Sequence, residues 1–279
     1  MREIAIVTDS TSDLPRSLYE EHGITVVPLA LTIDGETFTD GDLSQEEFFR
    51  RMNAAKELPT TSQPSPGIFV EAYARVLETA RSVISVHISS DLSGTFESAT
   101  QAAREFPGRV HLVDSRNLSM ALGLQVIEAA RAVARGLSVD EVVAHVENAR
   151  DRVQLLVGVD KLDNLAKGGR IGRVGAFIGG MLNLRVLFTV ADGVFDPVGR
   201  IRGAQTALNR TLEWVGERMG NATGGKFCVL HAMSLERAEW LRDQLTSRYL
   251  ATDMYVVETG TVISTHTGTG WGVAFIPEE

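Results

Sequence analysis

The residues best suited to bind a small anion stand between a predicted strand and a predicted helix. Residues 83–88 are mostly apolar and β-branched, which predicts a buried strand. Apolar residues then recur at helical spacing, so a helix is expected to begin near Gly94 or Thr95. Ser93 offers a hydroxyl beside the free amides of the helix start, and Gly94 lets a ligand approach the backbone closely. Two interpretations stay open: an anion site, or an ordinary helix cap at Ser93 or Thr95.

Two further polar loops follow predicted strands. Residues 9–15 come after the apolar run Ile4–Val7, and residues 114–117 come after a strand predicted at 110–113. Strands alternate with helices up to residue 150, which predicts a mostly parallel sheet with right-handed crossovers. Ligands of such sheets bind beyond the carboxyl ends of the strands, so these loops are expected on one edge of the sheet.

Two segments outside this pattern also concentrate polar side chains. Residues 58–66 contain three prolines, which argue against a helix or a central strand and favour a stiff, extended loop. A plain surface linker is the alternative for this segment. Residues 264–270 predict a second polar loop.

The predicted fold class is α/β, with two domains. Beyond residue 153 the pattern becomes antiparallel, because Asp192 and Gly193 mark a hairpin between two apolar runs at 186–190 and 194–198. We therefore predict a first α/β domain over residues 1–153, with a mostly parallel sheet. A second α/β domain, with a mixed or antiparallel sheet, is predicted over residues 154–279.

The composition excludes several classes of protein. A net charge of −9 argues against nucleic acid as a partner, since binding to a phosphate backbone favours a basic face. The single cysteine, Cys228, rules out an internal disulfide, fits a reducing cytoplasm and is expected to pack inside a strand. Four apolar residues before Asp9 are too few for a signal peptide. The most apolar run, from Val174 to Leu184, is too short to span a membrane.

Familiar catalytic and cofactor motifs are missing. There is no phosphate-binding P-loop, and the glycines at 268–272 do not have the dinucleotide-binding spacing. Ser93 lacks the flanking glycines of a nucleophile elbow. The six histidines show no metal-ligand spacing. No cofactor and no metal are therefore predicted.

Four motifs, taken together and in order, resemble one family. They are DSTSDLP at residues 9–15, TSQPS at 61–65, SSDLSGT at 89–95 and THTG at 265–268. GRIG at 169–172 and VDS at 113–115 support the match. The pattern is similar to that of the DegV family, the bacterial fatty-acid-binding proteins. The resemblance extends from the first predicted strand to the last.

The resemblance implies that two α/β domains enclose a long-chain fatty acid in the cleft between them. In the family the carboxylate is held by the serine of Ser-Gly-Thr, the threonine of Thr-Ser-Gln-Pro and the histidine of His-Thr-Gly. The matching residues here are Ser93, Thr61 and His266. Their neighbours in the same motifs complete the expected ligand-binding set, namely Ser62, Gly94, Thr95 and Thr267.

The resemblance also implies a partner. Similar proteins present the acid to a separate ATP-dependent fatty acid kinase, which forms an acyl-phosphate in fatty acid metabolism and phospholipid synthesis. Two arginines of the family face that kinase, and the matching residues here are Arg170 and, less closely, Arg202. On this interpretation the chain is a carrier, not an enzyme. The nucleotide site then belongs to the kinase.

Physical chemistry agrees with such a carrier. An ionised carboxylate only accepts hydrogen bonds, so it needs hydroxyl, imidazole N–H or amide donors. Burial of a tail of fifteen carbons contributes roughly 12 kcal/mol before ordering costs, at about 0.8 kcal/mol per methylene. Such a tail needs a long apolar cleft. Candidate wall residues are Phe177, Ile178, Met181 and Leu182, which could equally form the core of a helix.

Two other functions remain open on sequence grounds. A lipid-ester hydrolase could use Ser93 as nucleophile with His266 as base, but no orienting acid is evident. A regulatory module could bind a lipid only to tune its contact with another protein.

Overall fold

The computed structural model describes residues 2–177 and 184–278. Within these ranges the strands, in chain order, are β1 (Arg2–Asp9), β2 (Thr25–Val27), β3 (Ala30–Ile33), β4 (Glu36–Thr39), β5 (Thr60–Ser62), β6 (Ala80–His87), β7 (Val110–Asp114), β8 (Gln154–Val159), β9 (Leu184–Ala191), β10 (Val194–Arg202), β11 (Gly224–Ala232), β12 (Leu250–Glu258) and β13 (Gly270–Glu278).

The helices are α1 (Arg16–His22), α2 (Gln45–Ala54), α3 (Pro66–Leu77), α4 (Thr95–Ala103), α5 (Ser119–Ala134), α6 (Val139–Arg152), α7 (Asp163–Lys167), α8 (Ala204–Met219), α9 (Leu235–Thr246) and α10 (Thr261–Thr267). Two short 3-10 helices cover Ser10–Ser12 and Gly172–Phe177.

The first sheet is parallel throughout, with strand order β2-β1-β6-β7, as the alternating pattern predicts. The run Ile4–Val7 is buried completely, because helices cover both faces of this sheet. Helices α3 and α4 pack on one face and α5 and α6 on the other. The carboxyl ends of its strands therefore point their loops, including Ser93, to one edge.

The second sheet has the order β10-β9-β8-β13-β11-β12, and only the β11–β12 pair within it is parallel. Helices α8 and α9 pack on one face through a cluster around Trp214, Phe227 and Phe275. The other face belongs to a larger cluster that also contains α5. The predicted α/β class with a parallel first sheet and a mixed second sheet is confirmed.

Helix α5 lies between the two sheets. It contacts β1 and β6 of the first sheet and β13 of the second. Thirteen of its sixteen residues are buried, so it has no polar face for solvent. The molecule is therefore layered, with helices outside each sheet and α5 and α6 between them.

A small third sheet, β4-β3-β5, lies beside α2 and α10. The turn at Asp34 and Gly35, both with positive φ, joins β3 to β4. The chain changes sheet around Pro28, between β2 and β3. One prediction here is wrong. Residues 60–62 form the edge strand β5 instead of a loop, since the prolines at 59 and 64 flank the paired residues.

A second prediction is wrong at residues 264–270. They were expected to form a polar loop, but residues 261–267 form the helix α10, and Gly268 ends it with a positive φ. The helix is short and rich in threonine, so local propensity does not reveal it. The boundary predicted between residues 153 and 154 falls between α6 and β8 and stays a prediction.

Candidate ligand-binding site

A cavity lies where the loops of the first sheet meet α10 and β10 of the second half of the chain. Its free space amounts to about 40 Å³. The polar residues around it come from five separate segments of the chain. The described residues that line it are Thr11, Leu29, Thr61, Ile88, Leu92, Ser93, Leu118, Arg170, Phe195, Val262, Ile263, His266 and Thr267. The structure therefore brings together Thr61, Ser93 and His266, as the resemblance implies.

Thr61 and His266 form the closest polar pair of this cavity. The Oγ1 atom of Thr61 lies 2.8 Å from Nε2 of His266, across 205 positions of the chain. Nδ1 of His266 is buried and has no hydrogen-bond partner among the described residues. A bare nitrogen lone pair is tolerated in such a place better than an orphaned N–H. We infer that the proton sits on Nε2 and is donated to Thr61, which leaves the Thr61 O–H free for a ligand.

His266 is neutral at physiological pH. Burial is the larger cause and the positive charge of Arg170 the smaller one, and together they lower the pKa of its imidazole to about 4. The ring packs so closely on Gly168 that a Cβ there would collide with Nδ1. His266 therefore contributes its ring to the cavity wall and one hydrogen bond, and a positive charge at the cavity must come from another residue.

Arg170 supplies that charge. Its side chain is half-buried, lines the cavity, and donates to the carbonyl oxygens of Gly168 at 2.8 Å and Leu92 at 3.4 Å. The sequence assigned Arg170 only to a partner surface. Nothing in its local pattern signals that GRIG folds back over the SSDLSGT loop, so this position in the cavity was missed.

Ser93 stands at the start of α4, where the helix was predicted to begin. Its Oγ lies 2.9 Å from Oγ1 of Thr95 and accepts the Thr95 amide at 3.3 Å. Gly94 is the cap residue itself, and a Cβ there would collide with the side-chain amide of Gln63. The helix cap is therefore Gly94 and neither Ser93 nor Thr95, while Ser93 accepts the Thr95 amide and lines the cavity; the anion site stays a prediction.

The remaining predicted site residues differ in position. Thr267 lines the cavity, with its hydroxyl donated to Ile263 at 3.1 Å. Thr95 is fully buried and reaches the cavity only through its contact with Ser93. Ser62 is exposed, because it follows Thr61 in β5 and successive side chains of a strand point to opposite faces. Arg202 is exposed at the end of β10.

Thr11 lines the cavity although the sequence did not single it out from its motif. Both its amide, at 3.0 Å, and its hydroxyl donate to Oδ1 of the buried Asp9. Oδ2 of Asp9 accepts from the Ile88 amide at 3.0 Å and lies 2.9 Å from Nδ1 of His87. This buried network fixes the loops after β1 and β6 against each other. Its signal in the sequence is the DST triplet directly after the first strand.

Two aspartate side chains hold the start of α10. Oδ1 of Asp13 accepts the Gly260 amide at 2.9 Å, and Oδ1 of Asp40 accepts the Thr261 hydroxyl at 2.7 Å and the Val262 amide at 3.2 Å. Burial is the largest cause that raises the pKa of Asp13 to about 8, and the charge of Asp40 acts in the same direction. The hydrogen bonds that Asp13 accepts, including one from Ser119, lower the pKa but do not offset the effect of burial. The helix that carries His266 is thus fixed from the first half of the chain.

The β9–β10 hairpin closes the opposite side of the cavity. Ser89 donates through Oγ to the carbonyl oxygen of Gly193 at 2.8 Å. A Cβ at residue 193 would lie 2.7 Å from that Oγ, and φ there is positive, so glycine is required at this contact. Phe195, two residues further on, lines the cavity.

An apolar chamber with about 30 Å³ of free space lies beside this polar cavity. The two spaces share Leu118, Phe195, Ile263 and Thr267. Beyond them the chamber is bordered by Leu155, Val157, Val159, Phe188, Leu230 and the glycines of β13, among others. The predicted wall residues Ile178, Met181 and Leu182 lie outside the described residues, as does the side chain of Phe177. The site thus has a polar end and an apolar end.

The geometry gives little support to a serine hydrolase. His266 lies against Thr61, while the hydroxyl partner of Ser93 is Thr95. No acid orients His266, because Nδ1 has no partner in the described part of the chain. Over the same residues, no group of three or more His, Cys, Asp or Glu side chains could hold a metal ion. No described helix is long and apolar enough to cross a membrane.

Comparison with known proteins agrees with this arrangement. A family model described as "Uncharacterised protein, DegV family" matches residues 3–278. A DegV domain-containing protein of Deinococcus radiodurans is 42% identical over 278 residues, which cover 98% of both chains. The chain belongs to the DegV family.

Solved DegV structures extend this match to three dimensions. A DegV family protein from Thermus thermophilus, described by its fatty acid binding, has a TM-score of 0.95 and 37% identity, with all of both chains covered. DegV from Bacillus subtilis, described as a fatty acid binding protein, has a TM-score of 0.90 and 30% identity, again with full coverage. The predicted family is confirmed.

Proposed function

We propose that this DegV protein binds a long-chain fatty acid, with the carboxylate at the polar cavity and the tail in the apolar chamber. The observation that carries the proposal is that these two spaces are neighbours, with Leu118, Phe195, Ile263 and Thr267 lining both of them. The two DegV relatives named above, which bind fatty acids by their descriptions, support it.

The polar end has the donors that a carboxylate needs. The hydroxyls of Thr61 and Ser93 can each donate, since the first accepts from His266 and the second accepts from Thr95. Arg170 supplies a positive charge beside them, and hydrogen bonds to charged groups are worth about 1.5–3 kcal/mol each. His266 stays neutral, so it does not compete with Arg170 as a cation.

The apolar end supplies most of the affinity. Each buried methylene contributes about 0.8 kcal/mol, so a long tail offsets the cost of ordering both the ligand and the chamber walls. The carboxylate contributes the direction of binding, because an unpaired charge in the apolar chamber is strongly unfavourable.

We further propose that the protein presents the acid to a separate ATP-dependent kinase as a carrier, not as an enzyme. The support is the DegV family resemblance and the position of two arginines. A fatty acid carboxylate is already ionised at pH 7, so phosphoryl transfer to it mainly requires neutralisation of phosphate charge. Arg170 lies at the cavity, and Arg202 is exposed at the end of β10, where a partner can reach it.

Native mass spectrometry of the purified protein tests ligand binding. We expect an added mass of one fatty acid, either co-purified or taken up from added hexadecanoate. A protein that stays empty with saturating hexadecanoate and octadecenoate would refute the proposal.

Reconstitution with the cognate kinase and ATP tests the carrier role. Acyl-phosphate formed only when both proteins are present supports it, and fatty acid binding without product leaves a regulatory lipid-binding module. Labelling of Ser93 by a fluorophosphonate, with ester turnover lost in Ser93→Ala, would instead support a hydrolase.

A further inference from the structure

The central strand of the second sheet has one face that differs sharply from the other. In β13, Trp271, Val273 and Phe275 pack with α8 and α9. Ala274 and Ile276 belong to the opposite cluster, which includes α5. Because side chains alternate along a strand, Gly270 and Gly272 lie on the same face as Ala274 and Ile276. This face therefore begins with two positions that have no side chain.

The apolar chamber follows these bare positions. Gly270 and Gly272 border it, together with Val157 and Val159 of β8, the strand next to β13. Ala274 is not among the described residues that border it. The chamber is therefore open over the part of β13 that lacks side chains.

A row of buried side chains crosses three strands next to the bare positions. Ala274 pairs with Leu155 of β8 on one side and with Cys228 of β11 on the other. All three residues are buried and belong to one cluster. Leu155 borders the chamber, whereas Ala274 and Cys228 are not among the described residues that border it.

Gly272 can be replaced by alanine as a test because its φ angle is not positive. A Cβ there would lie 3.2 Å from Cδ1 of Leu230 and 3.0 Å from the carbonyl oxygen of Leu156. Leu230 borders the chamber, so a methyl group added at residue 272 narrows the chamber on the side formed by β13. Gly270 is less suitable, because a Cβ there would collide with the carbonyl oxygen of Gly158.

We propose that Gly272 and Gly270 provide the floor of the tail chamber and that Leu155, backed by Ala274, sets the longest hydrocarbon tail the protein accommodates. This inference rests on the proposed fatty acid binding. It assigns tail-length selectivity to a strand whose sequence reads Gly-Trp-Gly-Val-Ala. From Gly270 to Ala274 this strand extends over about 13 Å.

The affinity of the wild-type protein should rise with tail length and then stop rising. Burial of each methylene predicts an increase of about fourfold in affinity, until the tail reaches the closed end. A series of saturated acids with ten to eighteen carbons, measured by isothermal titration calorimetry, locates that limit.

Two variants should move the limit in opposite directions. In Gly272→Ala the limit moves to shorter tails, with affinity for the longest acids reduced at least tenfold and affinity for the shortest changed less than twofold. In Leu155→Ala the limit moves to longer tails, since the terminal side chain is removed. Gly199→Ala in β10 is the matched control, because a Cβ there meets no atom closer than 3.8 Å.

The outcomes separate this inference from the function on which it rests. A wild-type protein that binds none of the acids refutes fatty acid binding itself. Equal loss at every tail length in Gly272→Ala, or an unchanged limit in both variants, overturns the inference while fatty acid binding stands. Thermal unfolding identifies a variant that does not fold, and the other variant then decides between these outcomes.

Discussion

Arg170 provides the sharpest test of how the carboxylate is held. Substitution Arg170→Gln removes the positive charge and keeps most of the length of the side chain. A hydrogen bond to a charged partner is worth about 1.5–3 kcal/mol, and the half-buried position of Arg170 keeps solvent from replacing it fully. We expect affinity for hexadecanoate to fall about 10- to 100-fold.

The assay compares the acid with its neutral counterpart. Hexadecanol has the same tail and no charge, so its affinity should change less than about threefold in Arg170→Gln. Displacement of a fluorescent lipid measures both ligands. Arg173→Gln is the control, since Arg173 is exposed, pairs with Asp196 at 3.2 Å and Asp192 at 3.5 Å, and does not line the cavity.

A second readout of the same variant does not depend on ligand. Arg170 contributes to the low pKa of His266, although burial is the larger cause. In Arg170→Gln the pKa of His266 should rise from about 4 and stay below its usual 6.5, as an imidazole proton titration by NMR would show. Equal losses for acid and alcohol, or no loss for the acid, would refute the assigned role of Arg170.

Three further predictions concern the same structure. Ser93→Ala should weaken hexadecanoate binding about tenfold, because a hydrogen-bond donor to the charged carboxylate is lost. Substitution of the exposed Ser62 by alanine should change the affinity less than twofold. Equal effects of the two variants in a displacement assay would contradict the assigned site. The pKa of Asp13, raised to about 8, means that the free energy of unfolding falls by about 3 kcal/mol between pH 6 and pH 9, because the folded protein keeps a proton there that the unfolded chain has already lost, and the fall levels off above pH 8. Urea denaturation should show this fall in the wild type and its loss in Asp13→Asn, and identical profiles would rule it out. Arg202→Ala should leave fatty acid binding unchanged and reduce acyl-phosphate formation with the kinase, and a parallel loss of binding would argue against a partner role.

The sequence predicted those features that depend on local pattern. The start of α4 at Thr95 follows from the apolar spacing after Ser93, and the parallel sheet follows from the alternation of strands and helices. Full burial of Cys228 agrees with its apolar flanks, and burial raises the pKa of its thiol well above the usual value.

Features that depend on distant contacts were not predictable in the same way. At the start of α10, the amides of Gly260 and Val262 donate hydrogen bonds to Asp13 and Asp40, which lie more than 220 positions away in the chain. Residues 261–267 alone therefore do not indicate a helix. Strand β5 exists because residues 60–62 pair with β3. Thr61 and His266 meet only because both of these elements form.

The position of Arg170 had no local signal either. Family resemblance assigned it to a partner surface, and only the fold places its guanidinium between Leu92 and Gly168 at the cavity. The apolar chamber was likewise expected from the chemistry of a fatty acid, but its floor at Gly270 and Gly272 depends on strand register.

A crystal structure of the protein with bound hexadecanoate tests the central claim most directly. The account predicts a carboxylate within hydrogen-bond distance of Thr61 and Ser93 and beside Arg170, with the tail passing Leu118 and Phe195 toward Leu155. A carboxylate held at another place, or a tail that leaves the chamber beside β13 empty, would contradict it.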